Sequence, residues 1–369
     1  MNLYMSLTIQ SKLLSFLLSL ILIFGCKSNS PKTIEFFIKE SSIRTTTLKI
    51  NNIKVTNLKL TNENIYGLFT SISVCDSFLI CGNLRSPKLI NIYSLKGDTL
   101  ITEILQRGTG KNEGLSVSNV DIKYEKGNAF LWVYDITMSK LFKMNLLKSI
   151  KDSSYGIDKE ISLTKELKNI FSPEIINDSL RLATTYSFDD SRYLYANDKI
   201  VKKVGSLPIT NESGYLQDEE NTKFPNKAYI FKSTLVKNPY ENKVALFYNK
   251  TDRVEFYKND SLIQIINGPD KFGPKMIVSK TQTGFSIEDF EQTKYAYISI
   301  TYTPNNIYCL YSGTVDGSSN RIFVFGWDGN FIEELTLNKN ASKIFINPVT
   351  KILYCYENKE NGIFSVKLN

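Results

Sequence analysis

Apolar residues in this chain come in paired runs. Six times an apolar stretch breaks at a polar turn and resumes as a second one: "SFLICGNLRSPKLINIYSL", "AFLWVYDITMSKLFKMNL", "LRLATTYSFDDSRYLYA", "KVALFYNKTDRVEFY", "NIYCLYSGTVDGSSNRIFVFG" and "KILYCYENKENGIFSVKL". Their β-branched and aromatic residues between turn formers predict pairs of antiparallel strands. With Phe78, Phe130, Leu182, Ala245, Tyr308 and Leu353 as landmarks, the copies recur at 52, 52, 63, 63 and 45 residues. A propeller blade repeats at roughly 40–50 residues, and loop insertions lengthen it. Four copies continue into a second hairpin signal, "YSLKGDTLI", "YANDKIV", "YKNDSLI" and "FGWDGNFI", in which Asn, Asp or Gly supplies the positive φ of a tight turn. The second and sixth copies lack it.

After Leu353 only 16 residues remain, too few for another outer strand. An open sheet edge invites pairing with other chains, and a strand from the opposite end of the chain would cover it. Residues 43–55, "IRTTTLKINNIKV", suit that role. The expected fold is therefore all-β, a six-bladed β-propeller with four strands per blade, closed by an N-terminal strand and forming one domain over residues 43–369.

Ahead of the repeats, one lysine (Lys12) precedes an apolar run over residues 13–25. A membrane-spanning helix needs roughly 20 such residues, so this run predicts a signal peptide instead. Its ending, "IFGC", resembles the lipobox of bacterial lipoproteins, with Phe24 bulkier than that motif usually has. The resemblance implies a signal peptide over residues 1–25, lipid attachment at Cys26 and a linker over residues 26–42. Each buried acyl CH₂ contributes about 0.8 kcal/mol to membrane binding. Lys27 and the absence of an acidic cluster behind it imply, by similarity to lipoprotein sorting signals, an outer-membrane site facing the periplasm.

Beyond Cys26 the chain holds 44 Lys+Arg against 37 Asp+Glu, a net +7. This mild, dispersed charge gives no reason to expect a nucleic-acid partner, and a monomer is expected. Histidine is absent. Ser-His-Asp and Cys-His catalysis and imidazole-bound zinc are thereby excluded, and no catalytic residue, metal or cofactor is assigned. Cys75, Cys81, Cys309 and Cys355 remain. The last three sit inside apolar strands and read as small buried hydrophobes, although an exported protein could form disulfides.

Between the first two copies lies "LQRGTGKNEG". Together with Cys26 and "KLINIYSLKGDTL", it makes the chain resemble the TolB-like six-bladed propeller lipoproteins of Gram-negative bacteria, most without assigned activity. Members carry a G-x-G-x-x-E turn that Gly108, Gly110 and Glu113 reproduce, while Lys111, Asn112 and Gly114 depart from the commoner pattern. The resemblance implies fold and lipid anchoring and carries no reaction. A phosphate loop would need Ser or Thr where Asn112 stands, so the stretch reads as a tight crossover between blades.

Loops joining second to third strands of a propeller emerge on one face, and those joining third to fourth strands on the other. Lys88, Lys140, Arg192, Arg253 and Arg321 mark the first set, and Asp98, Asp198, Asp260 and Asp328 the second. The expectation is a basic ring that binds an acidic glycan, a lipid headgroup or an acidic protein partner through charge-assisted hydrogen bonds. The bland reading is that aspartates form turns and basic residues guard strand ends. Two functions follow: a non-catalytic ligand- or protein-binding module at the outer membrane, or a carbohydrate-active enzyme of the glycosidase type. The enzyme needs paired acids about 5–9.5 Å apart, with candidates Asp189 and Asp190, Asp218 to Glu220, and Glu288, Asp289 and Glu291. A sensor or assembly factor acting through protein contacts is a third possibility.

Overall fold

Alternation between double-sided burial and exposure decides where each strand lies. The second strand of every repeat is buried on both faces, as in Lys243–Tyr248 and Arg181–Thr185, which is why it reads as a continuous apolar run. Outer strands such as Ile200–Val204 expose most of their residues. The computed structural model describes residues 31–38, 44–48, 55–83, 85–152, 156–168, 170–185, 191–207, 209–210, 227–281 and 284–368. Cys26, the apolar run before it, and the carboxylates Asp189, Asp190 and Asp218 to Glu220 lie outside the described residues. Among the described residues no helix is long and apolar enough to cross a membrane.

Six antiparallel sheets follow one another. Blade 1 comprises Phe69–Cys75, Phe78–Asn83, Lys88–Ser94 and Thr99–Gln106; blade 2, Asn119–Glu125, Asn128–Asp135, Lys140–Asn145 and Lys159–Ser162; blade 3, Ile170–Ile175, Arg181–Thr185, Tyr193–Ala196 and Ile200–Val204. Blade 4 comprises Ser233–Lys237, Lys243–Tyr248, Arg253–Lys258 and Ser261–Asn267; blade 5, Tyr295–Tyr302, Asn306–Thr314, Ser319–Gly326 and Phe331–Ala341. Blade 6 takes Lys343–Ile346, Ile352–Glu357 and Gly362–Lys367 from the end of the chain and Thr61–Tyr66 from its beginning. The inner strand of each blade lies against the next, and that of blade 6 against that of blade 1, so the inner strands form a ring. All six landmark residues fall in second strands.

The turns explain the hairpin signals. In blade 4 the two-residue loop Asn259–Asp260 has φ of 49° and 62°, the doubly positive turn that matches strand twist and that Asn and Asp tolerate. Blade 2 lacks the signal because a short helix, Leu146–Lys151, with Asn145 capping the Lys148 amide at 3.0 Å, fills that connection. Of the two 63-residue intervals, the second contains an inserted hairpin, Lys275–Thr281 with Gly284–Asp289.

Residues 43–55 are not the fourth strand of blade 6. Within and just beyond that stretch, Thr45–Thr47 runs parallel to the outer strand of blade 4 and Val55–Leu58 parallel to that of blade 5. Thr61–Tyr66 pairs with the tail, Tyr66 opposite Gly362 and Thr61 opposite Ser365. Part of the expected linker is also structured. Lys32–Glu35 pairs with Lys275–Val278, and Phe37–Ile38 pairs with Ile209–Thr210. The N-terminal segment thus straps the outer edges of blades 4, 5 and 6 in turn.

Side chains of facing sheets interlock in one apolar cluster per junction between successive blades. Ile65 of the closing strand joins the cluster between blades 6 and 1, and Ile34, Phe36 and Ile38 join the one between blades 3 and 4. Cys75, Cys81, Cys309 and Cys355 are all buried free thiols. Burial raises the Cys75 thiol to about 11, so it stays protonated and unreactive at neutral pH.

Candidate functional site

The sequence-predicted basic residues sit where the strand count puts them, but they do not form an open ring of charge. Lys140 pairs with Glu160 at 2.7 Å and Arg321 with Glu334 at 2.7 Å. Arg192 and Arg253, 8% and 3% exposed, converge on one fully buried carboxylate, Glu255, with Arg253 Nε at 2.8 Å. Arg192 also donates to the Tyr248 hydroxyl at 2.8 Å. Lys88, at the start of the third strand of blade 1, is half-buried. On the opposite face Asp260 accepts from Tyr193, Tyr195 and Lys202, and Asp328 pairs with Lys243 at 3.0 Å, while Asp98 and Asp198 lie in the equivalent turns. These charges are mostly spent within and between blades.

The glycine-rich turn is a crossover braced by its own carboxylate. Glu113 accepts from the Gly110 amide at 2.8 Å, and a Cβ on Gly108 would stand 2.0 Å from the Glu113 carboxylate. Arg107 donates to the carbonyls of Ser86 and Leu115, and the Asn112 amide donates to Glu160 at 2.8 Å. With its amides and carboxylate engaged this way, the turn ties blade 1 to blade 2.

A cleft of about 450 Å³ opens beside the inner strands of blades 4 and 5, lined by Tyr229, Lys232, Asn249, Lys250, Asp289 and Tyr295. Four stretches of chain meet there. Tyr229 and Lys232 precede the inner strand of blade 4, Asn249 and Lys250 follow its second strand, Asp289 ends the inserted hairpin, and Tyr295 begins the inner strand of blade 5. Asn249 joins them: its amide donates to the Lys232 carbonyl at 2.8 Å, its carbonyl accepts from Ala296 at 2.7 Å, and its side chain donates to the Tyr297 carbonyl at 3.2 Å.

Lys250 pairs with Asp289 and lies 4.9 Å from the centre of the Tyr229 ring, while the Lys232 ammonium lies 4.1 Å from that of Phe171. Burial, with the charge of Lys250 added, lowers the pKa of Lys232. Burial and the nearby Asp289 raise both Tyr229 and Tyr295, which stay neutral. Among the described residues the cleft therefore combines two lysines, one carboxylate, an amide and two neutral aromatic rings. Glu288 and Glu291 are exposed near Asp289 and do not line it.

Two residues beyond Lys250, Asp252 holds the loop that leads to the hairpin. It is 2% exposed and accepts from the amides of Asp270 and Lys271 at 2.7 and 2.8 Å. Burial outweighs these donors and pushes its pKa up to about 6, from 3.8. A carboxyl whose folded pKa exceeds its unfolded one binds its proton more tightly when folded. Its contribution to stability is present below about pH 4 and is lost as pH rises to about 6, by on the order of 3 kcal/mol. Urea titrations of the protein and of Asp252→Asn should differ by a slope of that sign between these pH values, and parallel profiles would refute the assignment.

A second polar cluster sits toward the other end of the inner strands. Lys123 bridges Asp121 and Glu174, both at 3.0 Å, and the Tyr302 hydroxyl donates to Glu174 at 2.9 Å. Burial raises Glu174 against the opposing pull of Lys123. The cluster joins blades 2, 3 and 5 across the ring. Neither it nor the cleft is legible in the sequence, because their members are scattered and share no spacing; Asp289 alone of the cleft's lining stands among the sequence candidates, beside Glu288 and Glu291.

Comparison with known proteins fits this architecture. Among curated proteins none matches the chain. A solved DUF4221-family member from Bacteroides vulgatus superposes with a TM-score of 0.52 at 13% identity, covering 90% of this chain and 98% of the other. The Cps50 (Swd1) β-propeller domain of Myceliophteria thermophila gives a TM-score of 0.46 at 10% identity, covering 84% of this chain and 99% of the other. The former likeness is one of fold. The family model described as TolB-like 6-blade propeller-like matches residues 48–348, which hold blades 1 to 5 and part of blade 6, and the chain belongs to the TolB-like six-bladed propeller family.

Proposed function

We propose that this protein is a non-catalytic ligand-binding propeller, held at the outer membrane by acyl chains on Cys26, and that the cleft between blades 4 and 5 seats its ligand. The supporting observation is the cleft itself, where aromatic rings and a few convergent polar groups line a volume within the roughly 300–1,000 Å³ usual for small-molecule sites. The anchor rests on "IFGC" after a short apolar run. The glycosidase reading finds less support, since Asp289 is the single carboxylate among the described residues lining the cleft and Lys250 already holds it.

A thermal-unfolding screen of the full chain against small anions and neutral sugars tests this reading. A ligand at 100 times its Kd should stabilise the protein by about 2.7 kcal/mol, be recovered unchanged, and lose its effect in Lys250→Ala. Turnover of the ligand, or equal stabilisation of the variant, would refute it. Labelling with a radioactive fatty acid should disappear in Cys26→Ser.

A further inference from the structure

We infer that Asp252 is a proton-operated latch on residues 268–274 and, through them, on the strand Lys32–Glu35 that the N-terminal strap lays against the inserted hairpin. With a proton on this carboxyl the loop is held shut, and loss of the proton frees it. Four hydrogen bonds make the latch. The Asp252 carboxyl accepts from the amides of Asp270 and Lys271 at 2.7 and 2.8 Å, its backbone N–H donates to the Phe272 carbonyl at 3.0 Å, and its backbone carbonyl accepts from Gly268 at 2.9 Å. Gly268 packs so closely that a Cβ there would stand 1.6 Å from the other carboxyl oxygen. The loop thus covers both oxygens of a buried side chain.

The far end of the same loop holds the strap. Gly273 donates to the Glu35 carboxylate at 3.3 Å, the Phe36 amide donates to the Pro274 carbonyl at 3.0 Å, and Lys275 follows as the partner of Glu35 in the sheet. One short loop therefore joins a buried carboxyl to the first strand among the described residues.

The groups around Asp252 favour its proton. Tyr311 gives its hydroxyl to Asp270 at 2.7 Å, so a second carboxylate stands beside the first. Burial and the charge of Asp252 raise both Tyr297 and Tyr311, which stay neutral. Lys271 is exposed on the loop. The cations nearby are engaged: Lys250 with Asp289, Arg253 with Glu255 and Arg321 with Glu334. Burial pushes the Asp252 pKa up to about 6, against the pull of the two amides and with the charge of Asp270 added. Lifting the loop lets water reach the carboxyl, which then returns to its ordinary 3.8. The closed form binds the proton more tightly, so closure is fullest below about pH 4 and weakens as pH rises to about 6, by roughly a hundredfold for two pKa units.

Amide hydrogen exchange on the full chain, read as protection factors at pH 4 and pH 7, tests the latch. Residues 268–275 and 32–36 should lose roughly tenfold or more in protection at pH 7, where they should also lie about tenfold or more below the strand Phe78–Asn83 of blade 1. Asp252→Asn keeps a neutral acceptor and should remove this response. Glu35→Gln should leave the response of residues 268–272 in place, which separates Asp252 from the carboxylate at the other end of the loop. Flat protection across this range in the intact chain, or an equal fall in Asp252→Asn, overturns the latch. Protection at pH 7 equal to that of Phe78–Asn83 overturns it as well, because the carboxyl would then act on unfolding of the whole ring alone. A loop that loosens while residues 32–36 stay protected overturns its reach to the strap. If Asp252→Asn does not fold, the intact chain with carbon-13 at its aspartate carboxyls decides by NMR. A carboxyl that titrates near pH 6 together with the Asp270 and Lys271 amides supports the latch, and those amides following a titration near pH 4 overturn it.

Discussion

A chain that starts at Gly67 should lose its cooperative unfolding transition and associate. The deleted strap supplies the fourth strand of blade 6 and the flanking strands of blades 4 and 5. It also buries Ile34, Phe36, Ile38, Leu60 and Ile65, each 9% exposed or less. Burial of one such side chain is worth about 1.5–3 kcal/mol, so five amount to roughly 7–15 kcal/mol. That range spans the whole stability of an ordinary domain, about 5–15 kcal/mol. Three sheet edges would open at the same time, and exposed edges pair with one another. Light scattering after size exclusion, with urea titration followed by circular dichroism, would show this. A monodisperse product keeping a single transition within about 2 kcal/mol of the intact chain would refute it.

Glu255→Ala should cost about 3–5 kcal/mol, the usual result of removing one partner from a buried ion pair. Glu255 is fully buried between Arg192 and Arg253 and accepts from the Tyr257 hydroxyl at 2.7 Å. Its loss leaves two buried guanidiniums without the carboxylate they share, at the junction of blades 3 and 4. Glu255→Gln keeps the shape and removes the charge, so a comparable loss would assign the effect to electrostatics. A cost below about 1 kcal/mol for both variants would show that the arginines are compensated elsewhere.

These two results probe the parts of the molecule that leave the least trace in its sequence. The blades were legible because their middle strands are buried on both sides and their turns require positive φ, constraints that leave local traces in composition. The closing strand leaves little trace. "TNENIY" is an edge strand that buries one residue, Ile65, whereas the richer pattern of residues 43–55 drew the eye and includes one flanking strand and part of another. Arg192 and Arg253, at strand starts, read from sequence as surface charges. The signal lies in Glu255 inside "RVEFYK", an acid between Val254 and Phe256 in a strand buried over its first five residues, which demands a buried counter-charge. The cleft left no local trace, since the ring brings Tyr229, Asn249, Asp289 and Tyr295 together from separate stretches.

The strap also sets the order in which a mechanical load would travel. A pull on the N-terminal end reaches the Lys32–Glu35 pairing first, and that strand backs the hairpin that carries Asp289. The Phe37–Ile38 pairing and then the contacts with blades 4 and 5 come next, and Thr61–Tyr66 in blade 6 comes last. With the proposed tether at Cys26 and the proposed ligand in the cleft, tension would be felt at the cleft wall while the six-bladed ring was still intact, and traction would loosen the ligand first.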